Sequence, residues 1–404
     1  MTRNIPIDTL RGFACILLVA FHVVGSDPSR GLVLKDGHAL SQFNDILTYL
    51  RMPLFSFLSG FVYGWRPYIG EPIKFLKGKV RRLLIPMLVV GTFFAVLQSL
   101  TSGANAPYYD WRLLHIIPVA HYWFLESIFI ILMLTACLER FNLLLTPSRF
   151  TGIWLVAALL FLFSPMTDFF GMAGAMYLFP FFLLGLSCDR FHDKIQRNHL
   201  VLLTAALGGL FLYLLVTNKT LPEKNSLIAL LLGGVGCVVL LRSNFQNSWL
   251  ANIGYFSFAI YLFHTMFSAA SRIVLTRLGV NSVALLFASG LVLGIGGPIL
   301  VSMILRRVPL GSWVLGESSK AKVRSRKSGD SSSLLPLGKA ILECTEFRPS
   351  SASIKPLMAW PGLEARQSLA VDTLRPECGL LKACKTCVYT IQANPAQIHS
   401  TSAS

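Results

Sequence analysis

The chain has 404 residues, 54% of them hydrophobic and only 14% charged, with a mean hydropathy of +0.61. Soluble domains spend about a quarter of their residues on charge, so a soluble enzyme, a disordered chain and a disulfide scaffold are all excluded. The 36 Lys and Arg against 19 Asp and Glu give a net charge of +17, but these cations sit between long apolar blocks, where they meet lipid headgroups rather than forming the basic face that nucleic acid requires.

A helix crossing the ~30 Å hydrocarbon core needs about 20 mainly apolar residues. Such blocks predict spans near 9–27, 43–65, 80–100, 121–138, 151–167, 171–188, 199–217, 226–242, 249–268 and 282–305. The fold class is therefore an all-α polytopic membrane protein of about ten transmembrane helices. Barrel segments would be about 10 residues long and alternate strictly; these blocks are longer and apolar on all sides. The first block lacks a small-residue cleavage pattern and is predicted to be retained. A short connection flanked by Pro165 and Gly171 divides the fifth and sixth spans. Fused, those two would leave nine spans and put the termini on opposite sides.

Lys and Arg in short loops set orientation. With ten spans and a cytoplasmic start, one side collects 21 cations, from Arg3 and Arg11 through Arg306 and Arg307 to the tail's first five. The other side collects seven (Arg30, Lys35, Arg112, Lys219, Lys224, Arg272 and Arg277), or eight with Arg51 at the membrane edge. Both termini are thus predicted to be cytoplasmic. Residues 1–308 form the membrane domain and 309–404 a cytoplasmic, mostly disordered tail opening with the basic, Ser-rich SSKAKVRSRKSGDSSS. Cys384 and Cys387 make a lone CxxC, short of the four ligands of a closed zinc site, so no metal is expected. Cys15, Cys137, Cys188 and Cys237 lie in or beside apolar blocks and are expected to pack.

Ionisable groups inside spans are costly and usually face a bundle interior, a cavity or a partner. His22 lies eleven residues beyond Arg11, a rise of about 16 Å, which puts it in the outer half of the first span. The fourth span runs the other way, so Glu126 near its start is also outer, beside His121 and Trp123. The ninth runs outward, and His264 comes late in it; Arg51 opens the second from outside. Four spans thus deliver His22, Arg51, Glu126 and His264 to one depth. Each could simply pair with a neighbouring helix, but their coincidence points to a cluster.

Neutral imidazole is a competent general base near neutral pH, and a carboxylate such as Glu126 could orient it. Arg51 could neutralise a developing oxyanion or snorkel to headgroups. Ser56, Ser59 and Gly60 in MPLFSFLSG fit close helix packing, with Ser59 also a cavity candidate. Tyr261 and His264, three apart, share a helical face. The run Lys74, Lys77, Lys79, Arg81 and Arg82 could hold donor phosphates or headgroups. No HExxH, GxSxG or Walker motif occurs. On these residues alone, a transporter or flippase of a lipid-linked glycan fits as well as an enzyme, and an inactive scaffold is a third reading.

The segments IDTLRGFACILLVAFHVVG, RMPLFSFLSGFVYG, KGKVRRLLIP, HYWFLESIFI and IGYFSFAIYLFH occur in order over about 8–264. In these the chain resembles the membrane-bound acyltransferase-3 family, in particular its fucose-4-O-acetylase-like branch of cell-surface polysaccharide acetyltransferases. The resemblance implies an integral protein of the bacterial inner membrane that moves acetyl, or another acyl group, from acyl-CoA as co-substrate to a carbohydrate hydroxyl, with no bound cofactor. It implies that His22 is the essential first-helix histidine, Arg11 its paired arginine, and His264 the histidine closing the late YLxH motif. Under it, Arg11 and the basic segment with Lys79, Arg81 and Arg82 hold donor phosphates, His22 deprotonates the acceptor, and Glu126 orients. Arg51, Ser59, His121, Trp123 and Tyr261 line the cavity. The fused extracytoplasmic esterase-like domain of some members has no counterpart here.

Overall fold

The computed structural model describes residues 4–25, 30–35, 37–101, 110–164, 169–191, 208–209, 221–308 and 311–317. They are helical almost throughout: α1 (Ile5–Val24), α2 (Ala39–Ile46), α3 (Thr48–Gly64), α4 (Pro72–Lys79), α5 (Ile85–Leu100), α6 (Trp123–Arg140), α7 (Pro147–Leu162) and α8 (Met172–Arg190), then α9 (Leu227–Arg242), α10 (Ser248–Tyr255), α11 (Ser257–Arg277), α12 (Val283–Leu305) and α13 (Gly311–Val314). A π turn, Val80–Leu84, joins α4 to α5, and a 3-10 turn, Ala120–Tyr122, leads into α6.

Seven stretches are long and apolar enough to cross a bilayer: Ile5–Val24, Ala39–Gly64, Pro72–Leu100, Ala120–Arg140, Met172–Arg190, Ser257–Arg277 and Val283–Leu305. Two shorter apolar helices, Pro147–Leu162 and Leu227–Arg242, accompany them. Their outward faces are apolar: Leu88, Val89 and Phe93 on α5 and Leu285, Val292 and Leu300 on α12 are all exposed. Only lipid makes such a face favourable, so this is an integral membrane protein. The span predicted at 199–217 lies outside the described residues apart from 208–209, as does the chain after 317.

The boundaries differ from the hydropathy reading in three places. The stretch predicted at 80–100 begins at Pro72, because the basic segment continues as helix through the π turn. The span predicted at 249–268 is two helices parted at Phe256. The one predicted at 43–65 starts at Ala39 and is broken at Leu47. The fifth and sixth predicted spans are separate antiparallel helices, with the Trp154 indole N–H donating to the Pro180 carbonyl at 3.0 Å and Ser164 Oγ to the Ala173 carbonyl at 3.0 Å. Packed structure also runs past residue 308, since Leu315 is buried and Arg306 Nε donates to Glu317 at 3.0 Å.

Two backbone-to-backbone crossings hold the bundle. Where α3 meets α8, a Cβ on Gly60 would stand 1.9 Å from the Phe182 carbonyl, and one on Gly185 the same distance from that of Phe57. Ser56 Oγ donates across this crossing to the Leu178 carbonyl at 2.9 Å. Small residues that let helices touch are the usual device where lipid supplies no hydrophobic drive. The second crossing clamps the N-terminal half of α1 onto α10, with Gly12 and Gly254 equally tight against the Leu250 and Asp8 carbonyls. Asn247 N–H donates to Thr9 Oγ1 there at 3.1 Å.

Candidate active site

The first helix is started by Asn4, whose side chain accepts from the Ile7 N–H at 3.1 Å, and its last turn carries His22. The 3-10 turn before α6 carries His121, and the second turn of α11 carries His264. These three imidazoles, from widely separated stretches of chain, meet. Ring centroids are 4.9 Å apart for His22 and His264, 4.9 Å for His121 and His264, and 5.5 Å for His22 and His121.

Two of the three are fixed by backbone. His264 Nδ1 lies 2.8 Å from the Ile260 carbonyl and 3.0 Å from that of Tyr261. A carbonyl oxygen only accepts, so Nδ1 carries the proton and Nε2 presents a lone pair. That Nε2 is buried and makes no hydrogen bond. His121 is the mirror case: Nε2 donates to the Tyr261 carbonyl at 3.1 Å, leaving Nδ1 buried and without a bond. His22 is half-buried and reaches the cavity. Among the described residues, no group of three or more His, Cys, Asp or Glu is arranged to hold a metal ion.

The His121 turn is strained and firmly held. Ala120 sits at φ +47°, a left-handed conformation that costs a residue bearing a Cβ roughly 1–3 kcal/mol. Three bonds to α11 fix the turn. The Tyr261 hydroxyl donates to the His121 carbonyl, the His121 ring donates back to the Tyr261 carbonyl, and the Tyr122 hydroxyl donates to the Leu262 carbonyl at 2.7 Å.

A cavity of about 880 Å³ opens above His22 and His121. Its mouth lies at the helix ends opposite Arg11, marked by Gly25 after α1, Thr101 after α5 and Lys224 before α9. Arg51, Trp123 and Tyr261 line it too. Arg51 is only 3% exposed. Its Nη2 donates to both the backbone carbonyl and the side-chain oxygen of Asn44 at 2.8 Å, and its guanidinium lies 3.9 Å above the Phe21 ring. It therefore does not snorkel to the surface.

Other sequence candidates stand elsewhere. Glu126 is fully buried in α6 behind the cavity lining, its Cβ against Gly171, where an added Cβ would come within 2.6 Å. It is within electrostatic reach of Tyr261. Ser59 donates to the Phe55 carbonyl of its own helix at 2.8 Å and is not in the lining. Arg11 pairs with Asp8 at 3.3 Å near the opposite end of α1, within electrostatic range of Arg82. Lys79 Nζ lies 4.8 Å over the Phe75 ring, and Arg81 borders a shallow groove with Lys74, Lys77 and Trp313. None of Arg11, Lys79, Arg81 and Arg82 lines the cavity. His115, outside the spans, shares a 2.9 Å hydrogen bond between Nε2 and Thr92 Oγ1, and burial lowers its pKa below the usual imidazole value.

The sequence profile of the acyltransferase domain of the acyltransferase-3 type matches residues 4–307. The chain belongs to the acyltransferase-3 family. No curated protein and no solved structure is similar enough to count as a match. For this acyltransferase-3 protein the family assignment carries acyl-group transfer by a membrane-integral domain. Sequence reasoning placed His121 on the cavity wall but missed its part in the histidine triplet. It also missed Asn44 and Phe21 as the supports of Arg51. Asn44 reaches Arg51 only because the helix breaks at Leu47, and no residue pattern announces that break.

Proposed function

We propose that this acyltransferase-3 protein moves acetyl, or another acyl group, from cytoplasmic acyl-CoA to a hydroxyl of an exported or cell-surface carbohydrate. In this reading it crosses a bacterial inner membrane ten times, with both termini and the 309–404 tail on the cytoplasmic side. The observation that carries the proposal is the meeting of His22, His121 and His264 at a cavity that opens at the helix ends remote from Arg11.

The roles follow from which ring atoms are free. His22 lines the cavity, and its ring makes no hydrogen bond to a described residue, so it takes the proton from the acceptor hydroxyl. The hydroxyl oxygen bonds to the thioester carbonyl carbon, the carbon–sulfur bond breaks, and the proton returns to the departing thiolate. His264 and His121 each keep a buried ring nitrogen with no hydrogen bond. One of these accepts the remaining His22 N–H and stabilises the imidazolium, the orienting task that a carboxylate performs in other base–orienter pairs. Glu126, behind the lining, supports α6 and Tyr261 instead. Arg11 and Arg82, with Lys79 and Arg81 nearby, meet the donor phosphates, and the pantetheine arm spans the ~16 Å rise from Arg11 to His22.

The test uses membranes containing the full chain, radiolabelled acetyl-CoA and glycans extracted from the host. Base-labile label in the glycan fraction is compared for wild type and His22→Ala at equal abundance. Transfer that vanishes in the variant is expected. Equal label in both would overturn the role of His22, and an unlabelled glycan moved across the membrane would favour transport.

A further inference from the structure

Arg51 is almost wholly buried, yet no carboxylate pairs with it among the described residues. Its Nη2 is satisfied by Asn44, while its Nε is buried and makes no hydrogen bond. Buried charges are ordinarily paired, because taking an ion out of water costs several kcal/mol that dipoles alone rarely repay. Arg51 also faces the cavity, and it is not the only cation there. Arg30, Lys224 and Arg272 line the same space. In the ten-span reading the side that carries the mouth has only eight Lys and Arg, and these four are gathered on one cavity. Among the described residues no Asp or Glu lines the cavity; Asp45 and Glu223 stand outside it, Asp45 within electrostatic range of Arg51 but not ion-paired with it.

We propose that this cavity binds an acceptor bearing a negative charge close to the hydroxyl that is acylated, with Arg51 as the buried counter-charge and Lys224 and Arg272 as the entry. The proposal rests on the acyltransfer reading for the identity of the acceptor, but not for the existence of the anion site. A shared chemistry, a carboxylate or phosphate, satisfies the geometry. It can be carried by the sugar itself or by the phosphate that joins a glycan to lipid. With both Nη2 N–H groups spent on Asn44, the Nε–H of Arg51 is the buried donor left for either anion. Its hold on Phe21, one residue before His22, sets the anion beside the imidazole.

The experiment is equilibrium binding to the full chain in nanodiscs of neutral phosphatidylcholine, which keeps anionic lipid from competing. Three tritiated amphiphiles of equal chain length are compared: octyl β-glucoside, octyl β-glucuronide, and glucose joined to octyl alcohol by a phosphodiester. At least one anionic ligand is expected to bind about ten-fold or more tightly than the glucoside, the step that one charge-assisted hydrogen bond supplies. Preference for the glucuronide assigns the charge to the sugar, and preference for the phosphodiester assigns it to the lipid linkage. Arg51→Gln and, because Arg51 also braces Asn44, the exposed-site variant Lys224→Gln are each expected to narrow the gap at least three-fold. Equal binding of all three ligands, or a preference that both variants leave intact, would overturn the proposal. Anion-selective binding without any acyl transfer would leave it standing and sink the acyltransfer reading alone.

Discussion

His264→Phe separates a base-orienting histidine from one that merely fills space. Phenylalanine keeps a planar ring in the fully buried site, 4.9 Å from the His22 ring between centroids, but removes the unbonded Nε2 lone pair. In the ground state the two rings are not hydrogen-bonded; such bonds are often long before substrate binds and tighten in the complex. The bond matters once His22 has taken the proton and become cationic. A hydrogen bond to a charged group is worth about 1.5–3 kcal/mol, and each 1.36 kcal/mol is ten-fold in rate, so kcat should fall about 10- to 150-fold. KM for acyl-CoA should change less than about two-fold, because the proposed phosphate site is at the other end of α1. The assay is the initial rate of label transfer from acyl-CoA to glycan by protein in nanodiscs. It is repeated in a His22→Ala background, where a residue acting through His22 has nothing left to lose. Loss of equal size in both backgrounds, or a loss below about three-fold in the wild-type one, would refute the assignment.

Gly185→Ala should destabilise the bundle by about 1–3 kcal/mol, since the new methyl meets the Phe57 carbonyl at 1.9 Å and the crossing has to open; a lowered unfolding midpoint in mild detergent, with Gly152→Ala on an open helix face as control, checks it. His115 is held neutral by burial, so the unfolded chain binds more protons than the folded one as pH falls from about 6.5 toward the depressed native value. Stability should therefore decline on acidification through that window, and His115→Gln, which keeps a partner for Thr92, should flatten the decline; identical pH slopes for both proteins would exclude this contribution.

The depth argument made from sequence alone rests on two regularities, the 1.5 Å rise and the alternation of spans. These are properties of the whole bundle, so they bring His22 and His264 together correctly. Depth says nothing about rotation about a helix axis, and there the two carboxylate and serine candidates part from the site. Glu126 shares the level of His22 but sits behind the lining, and Ser59 spends its hydroxyl on its own helix. His121 was legible as a polar residue at the right level. Its place in the triplet depends on a left-handed Ala120, which composition does not encode. Likewise, hydropathy finds the apolar stretches but not the break at Phe256, where the chain stays apolar while its hydrogen-bond ladder stops.

The three bonds between the His121–Tyr122 turn and Tyr261–Leu262 have a consequence for how the protein is made. The chain is delivered N-terminus first at ~5–20 residues per second, so His22 enters the bilayer roughly 240 residues ahead of His264, or about 12–50 s. For the last ~140 residues of that interval, about 7–28 s, Ala120 lacks the struts that hold its strained turn, and the first histidine still has no His264 to meet. A chain halted before residue 257 would carry Arg11 and His22 and still have no assembled centre. On the proposed mechanism, the order of insertion by itself leaves a half-made copy unable to consume acyl donor.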